Sequence, residues 1–245
     1  MIWRLIDTDL ASPPYTSAAD EAIMIARHKN LVPNTLHLYR RDRPTISLGY
    51  FEKIEENVNL ELAKRIGAHI VRRVSGGSAI YTDQDQIIYS VVVDHEVVPE
   101  NPNDTYKIIC GAIIRALGLL GVVAYFKPIN DVVVNGKKIS GSAQARKWNI
   151  VLQHGTLIID ADFDLMFRIL KTTKKKIRTP EEMTSLTIEL GRKPSLDEVK
   201  KALIRAFAEE FQVEIVKGVL THFEEKTIKQ LIEEKYGRDE YALLR

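Results

Sequence analysis

Two short stretches of this chain carry residue types that can do chemistry together. The first is Arg72-Arg73-Val74-Ser75-Gly76-Gly77-Ser78-Ala79-Ile80-Tyr81-Thr82-Asp83. Adjacent glycines reach backbone angles closed to other residues and let a ligand approach the main chain. Successive N–H groups in such a turn can hold an anion, and arginine adds a planar fork that matches phosphate or carboxylate. The same residues could also form a plain hairpin tip with two solvated arginines. The second stretch runs from Lys127 to Asp160. In it Asn130-Asp131-Val132-Val133-Val134 reads as a strand, and Asn135-Gly136 as a two-residue hairpin turn. The return strand begins Lys137-Lys138-Ile139-Ser140-Gly141-Ser142-Ala143-Gln144. Strict alternation puts Lys138, Ser140 and Ser142 on one face and Ile139, Gly141 and Ala143 on the other. A third strand, Asn149 to Ile159, contains Gln153-His154-Gly155-Thr156. Taken alone, a lysine here is an ordinary exposed strand residue. An anion-holding turn, an Asn-Asp pair and a His-Gly-Thr in the same chain give it a use, which is to neutralise charge at a reacting centre.

The elements that must position these groups alternate short strands with helices. Trp3 to Asp7 can open as a strand, broken by Ser12-Pro13-Pro14. Thr16 or Ser17 then caps a helix running to about His28, with Ala18, Ala22, Ile25 and Ala26 at helical spacing. Leu36–Tyr39 and Thr45–Leu48 read as strands. The following Gly49-Tyr50-Phe51 can line a pocket or form a turn with packed rings. Asn59 to Ile66 reads as a helix stopped by Gly67. Buried strands follow at Ala68–Val71 and Ile87–Val93, and a helix runs from about Thr105 to Leu120. Further helices are expected at Asp162–Leu170, from Ser195, and at Phe223–Lys235, so that 180–245 reads as a helical C-terminal portion. The sum is a sheet-based α+β fold, mixed and largely antiparallel with flanking helices, in one catalytic domain over 1–245.

Composition narrows the function classes. The chain has 245 residues, 45% hydrophobic and 28% charged, the balance of a globular protein. A net charge of +2 gives no basic face of the kind nucleic acid requires. The one basic run, Lys174-Lys175-Lys176 with Arg178, reads as a solvated loop. A single cysteine, Cys110, excludes an internal disulfide framework and a cysteine-rich metal site. It falls within an apolar helix, where a thiol is a small buried hydrophobe. No segment reads as a signal peptide or membrane span, so a cytoplasmic setting is expected, with neither nucleic acid nor membrane as partner.

The combination of motifs resembles the lipoate–protein ligase family, whose fold is shared with biotin–protein ligases. The family's twin arginine and Ser-Gly-Gly-Gly turn is matched by Arg72 to Asp83, its Asn-Asp by Asn130 and Asp131, its lysine motif by Lys138-Ile139-Ser140-Gly141-Ser142-Ala143, and its His-Gly-Thr-Leu by His154-Gly155-Thr156-Leu157. The chain departs from the pattern twice, with Ser78 for the third glycine and Thr82 for a histidine. Ser78 narrows the backbone approach to a nucleotide. Thr82 removes a ring that could pack near the ligand but keeps a hydroxyl.

The resemblance implies a two-step ligation, in which lipoate and MgATP give lipoyl-AMP and the acyl group then passes to a lysine of a lipoyl carrier domain. The carrier would be a domain of a 2-oxoacid dehydrogenase complex or the glycine cleavage H protein. On that reading Lys138 is catalytic and touches both ligands. ATP would lie along Arg73, Ser78, Ala79, Ile80, Tyr81 and Lys138, and lipoate along Lys138, Gly76, Gly77, His154, Gly49 and Tyr50. Asp131 would contact Mg²⁺, with Asn130 assisting. His154 could equally be a structural histidine. ATP and Mg²⁺ enter as co-substrate and ion, with no tightly bound cofactor. Many family members continue into an accessory domain, which here is expected as a separate small subunit. The first alternative is octanoyl transfer from acyl carrier protein. In its cysteine-dependent form that reaction uses a thiol just before the lysine motif, and Val122–Ile129 contains none. A biotin ligase lacks support, because its Gly-Arg-Gly-Arg turn is missing. A non-catalytic binder of carrier domains is the other alternative.

Overall fold

The computed structural model describes residues 1–171 and 179–244; the basic run Lys174-Lys175-Lys176 with Arg178 lies outside them. Strands β1 (Ile2–Ala11), β2 (Thr35–Arg41), β3 (Thr45–Leu48), β4 (His69–Arg72), β5 (Ile80–Thr82) and β6 (Gln86–Asp94) come from the first half. From the second half come β7 (Tyr125–Lys127), β8 (Asp131–Val134), β9 (Lys137–Lys147), β10 (Ile150–Ile158) and β11 (Glu214–Lys217). Eight strands form one sheet in the order β11-β1-β2-β6-β10-β9-β8-β7, and β4-β3-β5 form a second. The β11–β1, β1–β2 and β3–β4 pairs are parallel, whereas the remaining pairs are antiparallel. This is the mixed, largely antiparallel α+β fold expected from the sequence.

Among the helices, α1 (Pro13–His28), α2 (Ile54–Asn57), α3 (Leu60–Arg65), α4 (Pro102–Leu119) and α5 (Phe163–Ile169) precede α6 (Leu186–Leu190), α7 (Leu196–Phe211), α8 (His222–Leu231) and α9 (Asp239–Ala242). Helices α4 and α7 cover one face of the large sheet, where Trp3, Leu36, Tyr89, Val91 and Phe207 are buried in the main core. On the opposite face Ile23 and Met24 of α1 pack on Val92 and Leu152. The small sheet lies on that side as well, with Ile46, Leu48 and Tyr81 sharing a cluster with Ile158.

Four expectations change in the folded chain. Helix α1 begins at Pro13, not beyond Thr16: both prolines occupy the first turn, where a missing N–H has no helical partner to lose. The Thr16 and Ser17 hydroxyls donate back to the Pro13 carbonyl at 3.1 and 2.9 Å. Helix α4 likewise starts at Pro102, capped by the Asn101 side chain. The glycine turn is no hairpin, because β4 pairs with β3 while β6 pairs with β2 and β10 of the other sheet. Finally, the C-terminal portion is not wholly helical. Its strand β11 extends the large sheet beside β1, and a buried Arg4–Glu224 pair at 2.6 Å ties α8 to the sheet.

Candidate active site

A cavity of about 230 Å³ lies between the α1 side of the large sheet and the small sheet. Strand register builds its floor. One row of paired residues crosses the sheet from Tyr39 to Ile88, Thr156, Gly141 and Asp131, and all five line the cavity. The Ser78–Tyr81 segment and Arg73 form part of the opposite wall, and Met166 and Met183 add apolar surface. Residues from both motif stretches therefore meet in one space, as the sequence required of them.

Lys138 reaches this space through a backbone irregularity. On the β8–β9 ladder Val132 pairs with Ser140, but Val133 pairs with Lys138, leaving Ile139 as an inserted residue. Such a bulge re-aims side chains. Lys138 consequently shares a face with Gly141 and Asp131, not with Ser140 and Ser142 as strict alternation predicted. Its Nζ sits 2.6 Å from Asp131 Oδ1, and the lysine side chain keeps 25% exposure while the aspartate keeps 6%. Gly141 makes this pairing possible, because a Cβ there would lie 2.4 Å from Lys138 Nζ and 3.2 Å from Asp131 Oδ1. Asn130 braces the other side of Gly141. Its amide donates to the Ser142 carbonyl, and its own carbonyl accepts from Ser142 N–H at 3.0 Å.

The twin arginines divide the work of holding the glycine turn. Arg73 is wound inside it, donating to Ser75 Oγ, to the Gly76 and Ser78 carbonyls, and to the Ser47 carbonyl at 2.7 Å. Burial lowers its guanidinium pKa to about 10. Gly77, at φ +89°, leaves room for that guanidinium, which a Cβ would approach to 2.9 Å. Arg72 points the other way, donating to the Gly49, Tyr50 and Glu52 carbonyls and to Ala242 at 3.1 Å.

His154 joins the turn to the sheet and to α1. Its Nδ1 lies 2.9 Å from Asp20 Oδ2 and its Nε2 lies 2.6 Å from Ser75 Oγ. Asp20 also receives His37 Nδ1 at 2.9 Å and the Tyr39 hydroxyl at 3.0 Å. Burial alone would raise the Asp20 carboxyl, yet the hydrogen bonds and charges of the two histidines carry its pKa well below the ordinary range. An ionised Asp20 only accepts, so Nδ1 of each histidine donates to it. The arrangement has the residue types of a nucleophilic triad. Ser75, however, is fully buried and its Oγ accepts from Arg73 Nε at 3.1 Å, so the chain of bonds holds a loop in place. His154 is thus both cavity wall and structural histidine.

Of the other expected residues, Ser78, Ala79, Ile80, Tyr81 and Gly77 line the cavity, whereas Gly76, Gly49 and Tyr50 do not. Gly49 is pressed on the turn from behind, since a Cβ there would meet the Gly77 carbonyl oxygen at 1.8 Å. The Gly76 carbonyl faces Arg73, and Tyr50 is 37% exposed with its ring edge-on to Phe51. Cys110 lies outside the cavity wall, buried on α4 with Sγ 3.8 Å from Ser142 Oγ; burial raises its thiol to about 12. Sequence reasoning missed Asp20, Ser75 and Arg41. An acidic residue among the alanines on the buried face of α1 was the available signal for Asp20.

Known proteins share this fold. Residues 12–208 match the family model described as the lipoyl protein ligase A/B catalytic domain. The chain belongs to that family. An octanoyltransferase LipM of Kyrpidia tusciae is 34% identical, over 98% of this chain and 97% of that protein. A solved lipoate-protein ligase A bound with ATP is 27% identical, with a TM-score of 0.87 over 99% of both chains. A bi-partite lipoate protein ligase, described with its E2 lipoyl domain from Thermoplasma acidophilum, is 29% identical with a TM-score of 0.87, covering 100% of this chain and 98% of that one. Membership makes this chain an enzyme of the lipoate ligase and octanoyltransferase family. The name of the sequence relative supports octanoyl transfer, given above as the alternative, more directly than ligation. No helix among the described residues is long and apolar enough to cross a membrane.

Proposed function

We propose that this chain joins a lipoyl-type acid to a lysine of a lipoyl carrier domain through an acyl-adenylate. The observation that carries the reading is the cavity itself, where the Lys138–Asp131 pair stands in the floor and the chain's one thiol stands outside the wall with a raised pKa. In the first step an acid carboxylate oxygen attacks the α-phosphorus of ATP and pyrophosphate leaves. Two anions meet there, and Lys138 supplies a mobile point charge to both. In the second step the carrier lysine amine attacks the acyl carbon, an amide forms, AMP leaves, and the amine proton passes to solvent. Lys138 stays on the carbonyl oxygen as negative charge develops.

Asp131 fits as the single protein carboxylate for Mg²⁺, an ion that in nucleotide sites takes one or two carboxylates together with phosphate oxygens. The Ser78–Tyr81 backbone and Arg73 wall are the proposed nucleotide contacts. The bi-partite Thermoplasma neighbour supports a separate accessory subunit, and its E2 lipoyl domain supports a carrier of that class.

Octanoyl transfer from acyl carrier protein is the second reading, favoured by the names of curated relatives. Pyrophosphate release separates the two. With ATP, free lipoate and a lipoyl domain, ligation releases pyrophosphate and labels the domain in an acid-stable form. Labelling from octanoyl-acyl carrier protein without ATP, and none from free acid with ATP, would leave the second reading standing alone.

A further inference from the structure

Strand β9 loses its regular neighbours where the site needs them most. The β10 ladder follows it from Lys147 only as far as Ser140, so Lys138 and Ile139 lie beyond the last pair. On its other side the β8 ladder is irregular at the same two residues. A bulge leaves its inserted residue unpaired, and buried backbone groups there must find partners elsewhere. Lys138 is thus carried on a stretch of β9 that the sheet itself supports poorly, although the proposed chemistry asks for a fixed ammonium.

A segment remote in sequence fills the gap. Met183 forms a parallel bridge with Lys138, and Thr184 N–H donates to the Lys138 carbonyl at 2.9 Å. Further bonds fix that segment in turn. Thr184 Oγ1 donates to Glu189 Oε1 at 2.6 Å, and the Ser185 side chain caps α6 by accepting from Ile188 N–H at 3.3 Å. Thr187 donates twice to the Ile159 carbonyl, just past the end of β10, from its N–H and from Oγ1, each at 2.9 Å. Thr184, Ser185 and Leu186 are fully buried, and Leu186 belongs to the main core. Met183, at the head of the segment, lines the cavity. The two threonine hydroxyls are committed to protein oxygens, so what they hold is the main chain beside Lys138.

We propose that residues 183–187 form a brace that fixes Lys138 against Asp131, with Thr184 and Thr187 as positioning residues for the reaction. The inference rests on the acyl-ligation reading only for the task that Lys138 performs. Ammonium and carboxylate stand 2.6 Å apart, and displacing a reacting group by a fraction of an ångström costs about tenfold in rate. A plain packing role for the segment would instead lower stability and leave the lysine where it is.

Two variants separate the brace from the fold. Thr184→Pro deletes the one N–H that meets the Lys138 carbonyl. Met183 already has the extended backbone, φ −109° and ψ 155°, that a residue before proline adopts. Thr187→Val keeps the main-chain bonds and deletes the hydroxyl tie to Ile159. Each is compared with the wild type in the full chain by thermal melt, by acetic anhydride labelling of Lys138 read by mass spectrometry, and by ATP–pyrophosphate exchange with free lipoate. In Thr184→Pro the acetylation of Lys138 should rise by about threefold, the change expected when an amine leaves a partly exposed ion pair. The kcat for exchange should fall about tenfold while KM for lipoate and ATP stays within about twofold. Thr187→Val should move both readouts in the same direction by less, and it decides alone if Thr184→Pro does not fold. Unchanged labelling of Lys138 in a folded variant overturns the inference, and so does changed labelling with an unchanged kcat. A rise in KM beyond that limit also overturns it, by placing the segment at the ligand and not at the lysine. If the wild type gives no exchange, the ligation reading falls, and the labelling alone decides whether the brace holds the lysine.

Discussion

The two walls of the cavity are built on opposite plans. On the turn side, Arg73, Ser75, His154 and Asp20 form a continuous chain of hydrogen bonds that fastens the glycine loop to β10 and α1. On the floor, Lys138 keeps a quarter of its side-chain surface open beside Asp131. The first wall is finished before any ligand arrives, whereas the second is finished by one. Preorganised donors lower a barrier only where they need not rearrange, and selection requires groups that the right ligand alone completes. Damage to the first wall should therefore cost stability, and damage to the second should cost rate and selectivity.

The largest effect tests the second wall. Lys138→Ala should melt close to the wild type and lose about 100- to 1000-fold in acid activation and in acyl transfer, the usual cost of one donor to a developing anion. Pyrophosphate exchange and single-turnover transfer from preformed acyl-adenylate measure the steps separately. A variant that melts far below the wild type would break the comparison, because it would make Lys138 part of the frame.

Next comes the first wall. Asp20→Asn removes a buried charge that pairs with two histidines, and should lower stability by about 3 kcal/mol at neutral pH. The sign with pH follows from the depressed carboxyl of Asp20. A carboxyl held below its unfolded value contributes in full above that value, about 4, and the contribution fades as pH falls through the folded value. The margin of wild type over Asp20→Asn in denaturant melts should thus be constant from neutrality to mild acid and shrink below about pH 4. A margin that grows on acidification would sink the assignment of an ionised Asp20.

Gly141→Ala probes where the walls meet. The new Cβ would displace the flexible end of Lys138 from Asp131, so stability should change little while turnover falls by about tenfold, the cost of misplacing a reacting group by a fraction of an ångström. Wild-type turnover in this variant would show that the lysine acts from another position.

How far these walls were legible in the sequence depends on the range of the interactions. Adjacent residues announced the glycine turn, the Asn135-Gly136 hairpin and the order of the motifs, and the folded chain keeps them. Lys138 was found as a residue but assigned to the wrong face, because a one-residue bulge reverses alternation and nothing in Lys138-Ile139-Ser140 marks it. Gly49 looked like pocket lining, when its smallness answers to the Gly77 carbonyl, a contact made only once two distant segments pack. Asp20 and Arg41 were hidden for the same reason. A buried charge is recognised by its partners, and those of Asp20 lie in β2 and β10. Strand β11, four residues long at the sheet edge, carried no periodic pattern to read.

The smallest expected effect bears most directly on the choice of acyl donor. Cys110 behaves as core. It is 1% exposed on α4, its thiol is raised by burial, and it lies outside the cavity wall. A nucleophilic thiol needs thiolate character and access, which a buried apolar setting denies. Cys110→Ala should therefore cost about 1 kcal/mol of packing and leave turnover within about twofold of the wild type, on the scale of stability-neutral substitutions. The measurement is acyl transfer to a lipoyl domain from each donor in turn, free acid with ATP and octanoyl-acyl carrier protein. Loss of transfer from the carrier protein alone, with a trapped thioester in the wild type, would place the thiol in the reaction. It would also mean that α4 opens toward the cavity during turnover.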